Sequence, residues 1–188
     1  MTRPTPDEVS DRALVLYAMV RRGAIELVVN ETGGDPTRVA QAERARVETD
    51  RWLERESLNG AVTPVERQLL DAPSGSWPAP AVADAMWRKE SMGVLLWALE
   101  YLETMPEFGE EFVQAELDGA ITRYGSVDSF RANGRLRPDD QVERAWLEAD
   151  AWFGATEGRD GEDASMASIA AERFRALSWL RDVASAPA

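Results

Sequence analysis

Met86-Trp87-Arg88-Lys89-Glu90-Ser91-Met92-Gly93-Val94-Leu95-Leu96-Trp97-Ala98-Leu99 is the stretch on which the fold turns. Its apolar side chains occupy most of a helix circumference, and Ser91 to Leu99 carries no charge. A helix that is apolar all round belongs inside a domain. Nine uncharged residues fall far short of the ~20 needed to cross a bilayer. The spacing predicts one long central helix over Pro80–Met105, stopped by Pro106, in a chain that does not span a membrane. Gly93 weakens an isolated helix, and its missing side chain reads as room for a neighbour to approach.

Outward from that helix the same period recurs. Leu14, Tyr17, Ala18, Arg21, Ile25 and Val28 share one face of a first helix over Glu8–Val29, with Gly23 as its weak point. Gly33 and Gly34 suit a left-handed turn, and Asp35-Pro36 supplies the cap and first turn of a second, largely solvated helix reaching Leu58. Thr63-Pro64-Val65-Glu66 is a capping box that opens a short helix. Phe108–Leu117, the segment from Pro138 through Phe153, and Ala164–Val183 supply further helices. The turns at Asp118-Gly119 and Tyr124-Gly125 leave Ile121 and Val127 in a small hairpin or an irregular connector. With 28 alanines and almost no β-branched runs, the fold class is all-α: a compact irregular bundle of six or seven helices. It is read as a single domain over residues 8–183, with flexible ends at 1–7 and 184–188.

Composition then removes whole classes of chemistry. The 188 residues contain no cysteine and no histidine, which rules out disulfides, thiolate nucleophiles, the common zinc spheres and any serine-histidine-acid relay. Carboxylates, hydroxyls, arginines and one lysine remain, and no cofactor or metal is expected. The 34 acidic against 21 basic side chains give a net charge of -13, which opposes binding to a nucleic-acid backbone. Residues 106–188 hold seventeen acidic and nine basic groups, so the acidity concentrates there. No apolar run follows Arg3, so no secretory leader is read and the expected compartment is the cytoplasm.

Two places stand out for function. Asp84, Arg88 and Glu90 lie within two helical turns, where Arg88 offers a planar donor fork and Glu90 a carboxylate that burial would make basic. They read chiefly as an internal ion-pair network, and otherwise as a small-ligand or non-zinc catalytic cluster, joined by Tyr17 or Tyr101. Trp77, in the loop between two helices, is the interface candidate among seven tryptophans, because a loop residue has less reason to pack centrally. Glu100 with Glu103, and Asp160-Gly161-Glu162-Asp163, lack the ligand pattern of a cation site and read as solvated helix charge and a helix cap. Arg131, Arg135 and Arg137 form a basic run without aromatic interleaving, so a nucleic-acid role is not favoured.

Several motifs resemble one family. Arg12-Ala13-Leu14-Val15-Leu16, Arg22-Gly23, Trp52-Leu53, Thr63-Pro64-x-Glu66, Trp87-Arg88-x-Glu90, Leu96-Trp97-Ala98-Leu99 and Arg173-x-x-Ala176-Leu177-x-Trp179-Leu180 are similar to a bacterial domain of unknown function, the family numbered 4272. The resemblance spans about Arg12 to Leu180 and implies an all-helical bacterial domain with no catalytic residues to carry over. In that family the Leu-Trp-Ala-Leu stretch is often followed by Gly, where Glu100 stands here, and the continuation beyond Leu180 is reduced.

These readings converge on a protein-interaction or regulatory module whose acidic surface favours a basic partner, in a toxin-neutralising or regulatory role. The alternatives are a small-ligand binder or enzyme at the carboxylate-arginine cluster, and a structural homo-oligomer.

Overall fold

The computed structural model describes residues 2–156 and 164–182. Among these are eight α-helices and no strand: α1 (Pro6–Glu31), α2 (Pro36–Arg55), α3 (Pro64–Asp71), α4 (Ala79–Ala98), α5 (Gln114–Thr122), α6 (Val127–Asn133), α7 (Asp139–Thr156) and α8 (Ala164–Arg181). A 3-10 turn at Leu58–Ala61 precedes α3. No helix among the described residues is long and apolar enough to cross a membrane.

Local chemistry sets most of the boundaries. Thr5 and Glu8 cap α1 reciprocally, the Thr5 amide donating to Glu8 Oε2 at 2.7 Å and the Glu8 amide to Thr5 Oγ1 at 3.3 Å, so the helix begins at Pro6. Gly33 and Gly34 take left-handed backbone angles and end the connection, and Asp35 then caps α2 by accepting from the amides of Thr37 and Arg38. At Thr63 the expected capping box is complete, with Pro64 in the first turn.

The chain forms two compact units, Leu14–Arg88 and Met1–Ala13 with Lys89–Ala188. Both divisions fall inside helices, α1 and α4, where no loop or shift of composition marks them in the sequence. In the Leu14–Arg88 unit, Met19, Leu53, Leu58, Leu70, Trp77 and Ala85 are buried. A Cβ on Gly23 would lie 2.9 Å from that of Ala85, so α1 passes through Gly23 unbroken with α4 close against it.

In the second unit α7 and α8 pack antiparallel, as Arg181 meets Glu143 at 2.6 Å, Trp146 donates to Ser178 at 3.0 Å, and Phe153 stacks on Phe174. The second half of α4, Glu90 to Ala98, is buried on every side, and so is Leu99 just beyond it.

Three expectations need correction. The Ile121 to Val127 region holds no hairpin: Leu117, Ala120 and Ile121 bury one face of α5, and Ser126 caps α6 by accepting from Ser129 at 3.1 Å. Their spacing of three and four is helical, a signal that two turn-like glycines obscured. The central helix ends at Ala98, not Met105, and the helix expected from Phe108 begins only at Gln114. What lies between is the most informative part of the molecule.

Candidate functional site

Residues 99–113 form a fifteen-residue connection without helix, a length uncommon for irregular connections in compact domains. It is built from the end of α4. The Tyr101 amide returns to Leu96 O at 2.9 Å and that of Glu100 to Trp97 O at 3.0 Å, while Glu100 takes φ 62. These are the two bonds and the left-handed residue that close a helix in a Schellman ending. Arg137 completes the end: its Nε donates to Trp97 O at 2.7 Å and its Nη2 to Leu102 O and Glu103 O at 2.8 and 3.0 Å, and its guanidinium lies 4.9 Å over the Trp97 ring. A cation here both satisfies orphan carbonyls and complements the helix dipole.

The far half of the connection is fastened from beneath. Arg173 of α8, 3% exposed, donates from Nε to Glu90 Oε2 at 2.9 Å, from Nη1 to Pro106 O at 3.0 Å, and from Nη2 to the Glu110 carbonyl. Glu90 is fully buried, and its Oε1 accepts from the Phe112 amide at 2.9 Å. The Phe112 ring lies under the Arg173 guanidinium at 5.0 Å and occupies the space that a side chain on Gly93 would need. Burial pushes the Glu90 carboxyl above its ordinary value, and the Arg173 charge and the Phe112 amide act against that shift. Both of its oxygens are engaged, so this carboxylate holds backbone in place.

Clamping the backbone from within leaves side chains facing water. Phe108 is 52% and Val113 55% exposed, and Glu107, Glu110 and Glu111 are exposed beside them. One face of Phe108 rests on Trp152 of α7 at 4.8 Å between ring centres, and Lys89 pairs with Glu111. The unit that carries this surface holds twenty-three acidic and twelve basic residues, against eleven and nine in the Leu14–Arg88 unit.

The residues singled out by sequence are distributed over both units. Asp84, Arg88 and Trp77 line one cleft of about 420 Å³ in the Leu14–Arg88 unit, while Glu90 is held by Arg173 and Phe112. No hydrogen bond or ion pair joins the side chains of Asp84 and Arg88. Trp77 is 4% exposed, and its indole donates to Leu69 O at 2.8 Å. This loop tryptophan packs because buried Glu26 accepts from the Gly75 amide at 2.9 Å and the Trp77 amide at 3.2 Å, with Arg22 paired to Glu26 at 2.5 Å. The same loop is tied by Glu43, which accepts from Ser74 Oγ at 3.0 Å and whose carboxyl is held down to about 2, chiefly by Arg46.

Tyr17 and Tyr101 join neither cluster. The Tyr17 hydroxyl accepts from Arg21, whereas Tyr101 donates to Phe130 O and is pushed up to about 12 by burial. Within the basic run, Arg131 bonds Asp11 at 2.6 Å and Arg137 caps α4, so two of its three charges are tied within the fold. Among the described residues no group of three or more acidic side chains is placed to hold a metal ion. The Asp160 to Asp163 stretch lies outside the described residues.

The motifs and the all-helical architecture agree with one comparison. A family model, Domain of unknown function (DUF4272), matches residues 1–187. The chain belongs to that family. No curated protein and no solved structure matches it. Within DUF4272 terms, the motif pieces fall on the internal ties just described: Trp87-Arg88-x-Glu90 meets Arg173-x-x-Ala176-Leu177 through the Glu90–Arg173 pair, and Arg22-Gly23 supplies both the partner of Glu26 and the close approach to Ala85.

The roles of Arg137 and Arg173 were missed from sequence, but a signal for Arg173 exists. It sits on the stripe of Ile169, Ala170, Ala176 and Leu180, where a charge requires a buried partner.

Proposed function

We propose that the protein is an interaction module that presents its clamped connection, residues 99–113, to a basic segment of a partner protein. The observation that carries this reading is Phe108: an aromatic ring 52% exposed on backbone that two buried groups, Arg173 and Glu90, fix from below. An aromatic anchor held in one conformation loses little entropy on docking. Glu107 and Glu110 are exposed within two residues of it in the chain, and Glu111 follows, paired to Lys89, so a Lys- or Arg-rich segment with one apolar side chain meets complementary charge beside an apolar centre. The net charge of -13 adds long-range steering toward such a partner. Catalysis is not part of this reading, because Glu90, a fully buried carboxylate that burial makes more basic, is fully engaged in holding backbone.

Selection from a random peptide display library tests it. Enriched peptides should be basic with an aromatic or aliphatic residue. Their affinity should fall at least about tenfold on Phe108→Ser and again on the double change Glu107→Gln/Glu110→Gln, with the fold kept in every variant, as far-ultraviolet dichroism and a cooperative melt would show. Peptides that are acidic, or that bind both variants as they bind wild type, would refute the reading.

A further inference from the structure

The Leu14–Arg88 unit contains a second candidate site, separate from the clamped connection. We infer that the cleft lined by Met19, Leu69, Trp77, Asp84, Ala85 and Arg88 binds a small apolar monocarboxylate. Its volume of about 420 Å³ lies in the range of small-molecule sites. The floor is apolar and closely packed, with Met19 2%, Trp77 4% and Ala85 2% exposed. Trp77 is not free to collapse into the space, because its indole is bonded to Leu69 O and its backbone to Glu26.

Arg88 supplies the polar end. Among the described residues it is the arginine that is partly buried yet has no hydrogen bond or ion pair; Arg44, Arg51 and Arg135, whose side chains are likewise unbonded, are exposed to water. A partly desolvated guanidinium loses hydration that a partner usually replaces, and its planar fork matches a carboxylate. Asp84 stands four residues earlier on the same helix and lines the same cleft without pairing to it. That negative charge repels any ligand charge beyond the one the Arg88 fork engages, which favours a monocarboxylate over a dicarboxylate or a phosphate ester.

Calorimetric titration with phenylbutyrate, accompanied by amide and indole chemical shifts, tests the site. Saturable binding should appear, with the Trp77 indole proton among the largest shifts, and phenylbutanol should bind at least about tenfold more weakly. Arg88→Met should weaken phenylbutyrate by a similar factor, and Arg88→Lys, which keeps the charge without the fork, should fall between. An unchanged melting temperature in both variants separates ligand loss from unfolding.

Equal binding of acid and alcohol, unaltered binding to Arg88→Met, or shifts confined to residues outside the cleft would each overturn the assignment. So would an absence of saturation up to about 10 mM, or binding only when the carboxylate terminates a peptide. None of these results depends on whether Phe108 contacts a partner.

Discussion

Glu100 adopts a backbone angle, φ 62, that costs a residue with a side chain roughly 1 kcal/mol. The position demands it, since the amides of Glu100 and Tyr101 close α4 on Trp97 and Leu96 only if the chain turns left-handed there. A carboxylate just beyond a helix C-terminus also faces the negative end of the dipole. Both effects favour glycine, and the glycine's extra freedom in the unfolded chain opposes them only in part. Glu100→Gly should therefore stabilise the protein by about 0.5–1 kcal/mol, read as a melting temperature higher by about 1–4 °C. Glu100→Ala relieves the charge but keeps the backbone strain, so it should gain less. A Gly variant that melts below wild type would show that the left-handed angle is not a source of strain.

At the scale of elements, the polar ties decide where helices stop and which segments remain irregular. Arg173 and Glu90 are the clearest case. Removing one member strands the other in a buried site, so Arg173→Met should cost about 3–5 kcal/mol in denaturant unfolding. Glu90→Leu/Arg173→Met together should cost less, because no charge is left unpaired, although the Phe112 amide and the Pro106 and Glu110 carbonyls lose their partners. In the single variant Glu90, which accepts from the Phe112 amide, loses the cation that holds it, and hydrogen exchange of that amide should accelerate relative to amides in α8. Equal costs for single and double variants would show that the lost backbone bonds and packing, and not the unpaired charge, set the cost.

These ties also explain what could be read in advance. Asp35-Pro36 and Thr63-Pro64-x-Glu66 act within a few residues, and both caps were legible. The missing side chain of Gly93 makes room for a neighbour, as its place in an apolar helix implies, and that neighbour is Phe112. The early end of α4 depends on Arg137, and the delayed start of α5 on Arg173, partners about forty and sixty residues away in the chain. Local periodicity has no access to such pairs. For the same reason Asp84, Arg88 and Glu90 looked like one cluster: helical spacing places side chains by angle, but does not reveal that Glu90 turns to α8 while Arg88 lines a cleft.

Across the whole molecule the two kinds of ion pair respond differently to solvent. Arg173 with Glu90 and Arg22 with Glu26 are buried and little screened by salt. Pairs such as Arg144 with Asp140 are exposed and worth about 0–1 kcal/mol each. Against these stands the self-repulsion of 34 carboxylates facing 21 cations, concentrated in the unit that carries Phe108. Salt weakens exposed attraction and repulsion alike, and with a net charge of -13 repulsion is the larger quantity. Raising sodium chloride from about 20 mM to about 300 mM shortens the screening length from roughly 20 Å to under 10 Å. The melting temperature should rise by a few degrees over that interval, while the association rate of a basic peptide with the clamped connection falls. A melting temperature that drops as salt is added would mean that exposed pairs contribute more to the fold than repulsion takes away, and steering by net charge would lose its support.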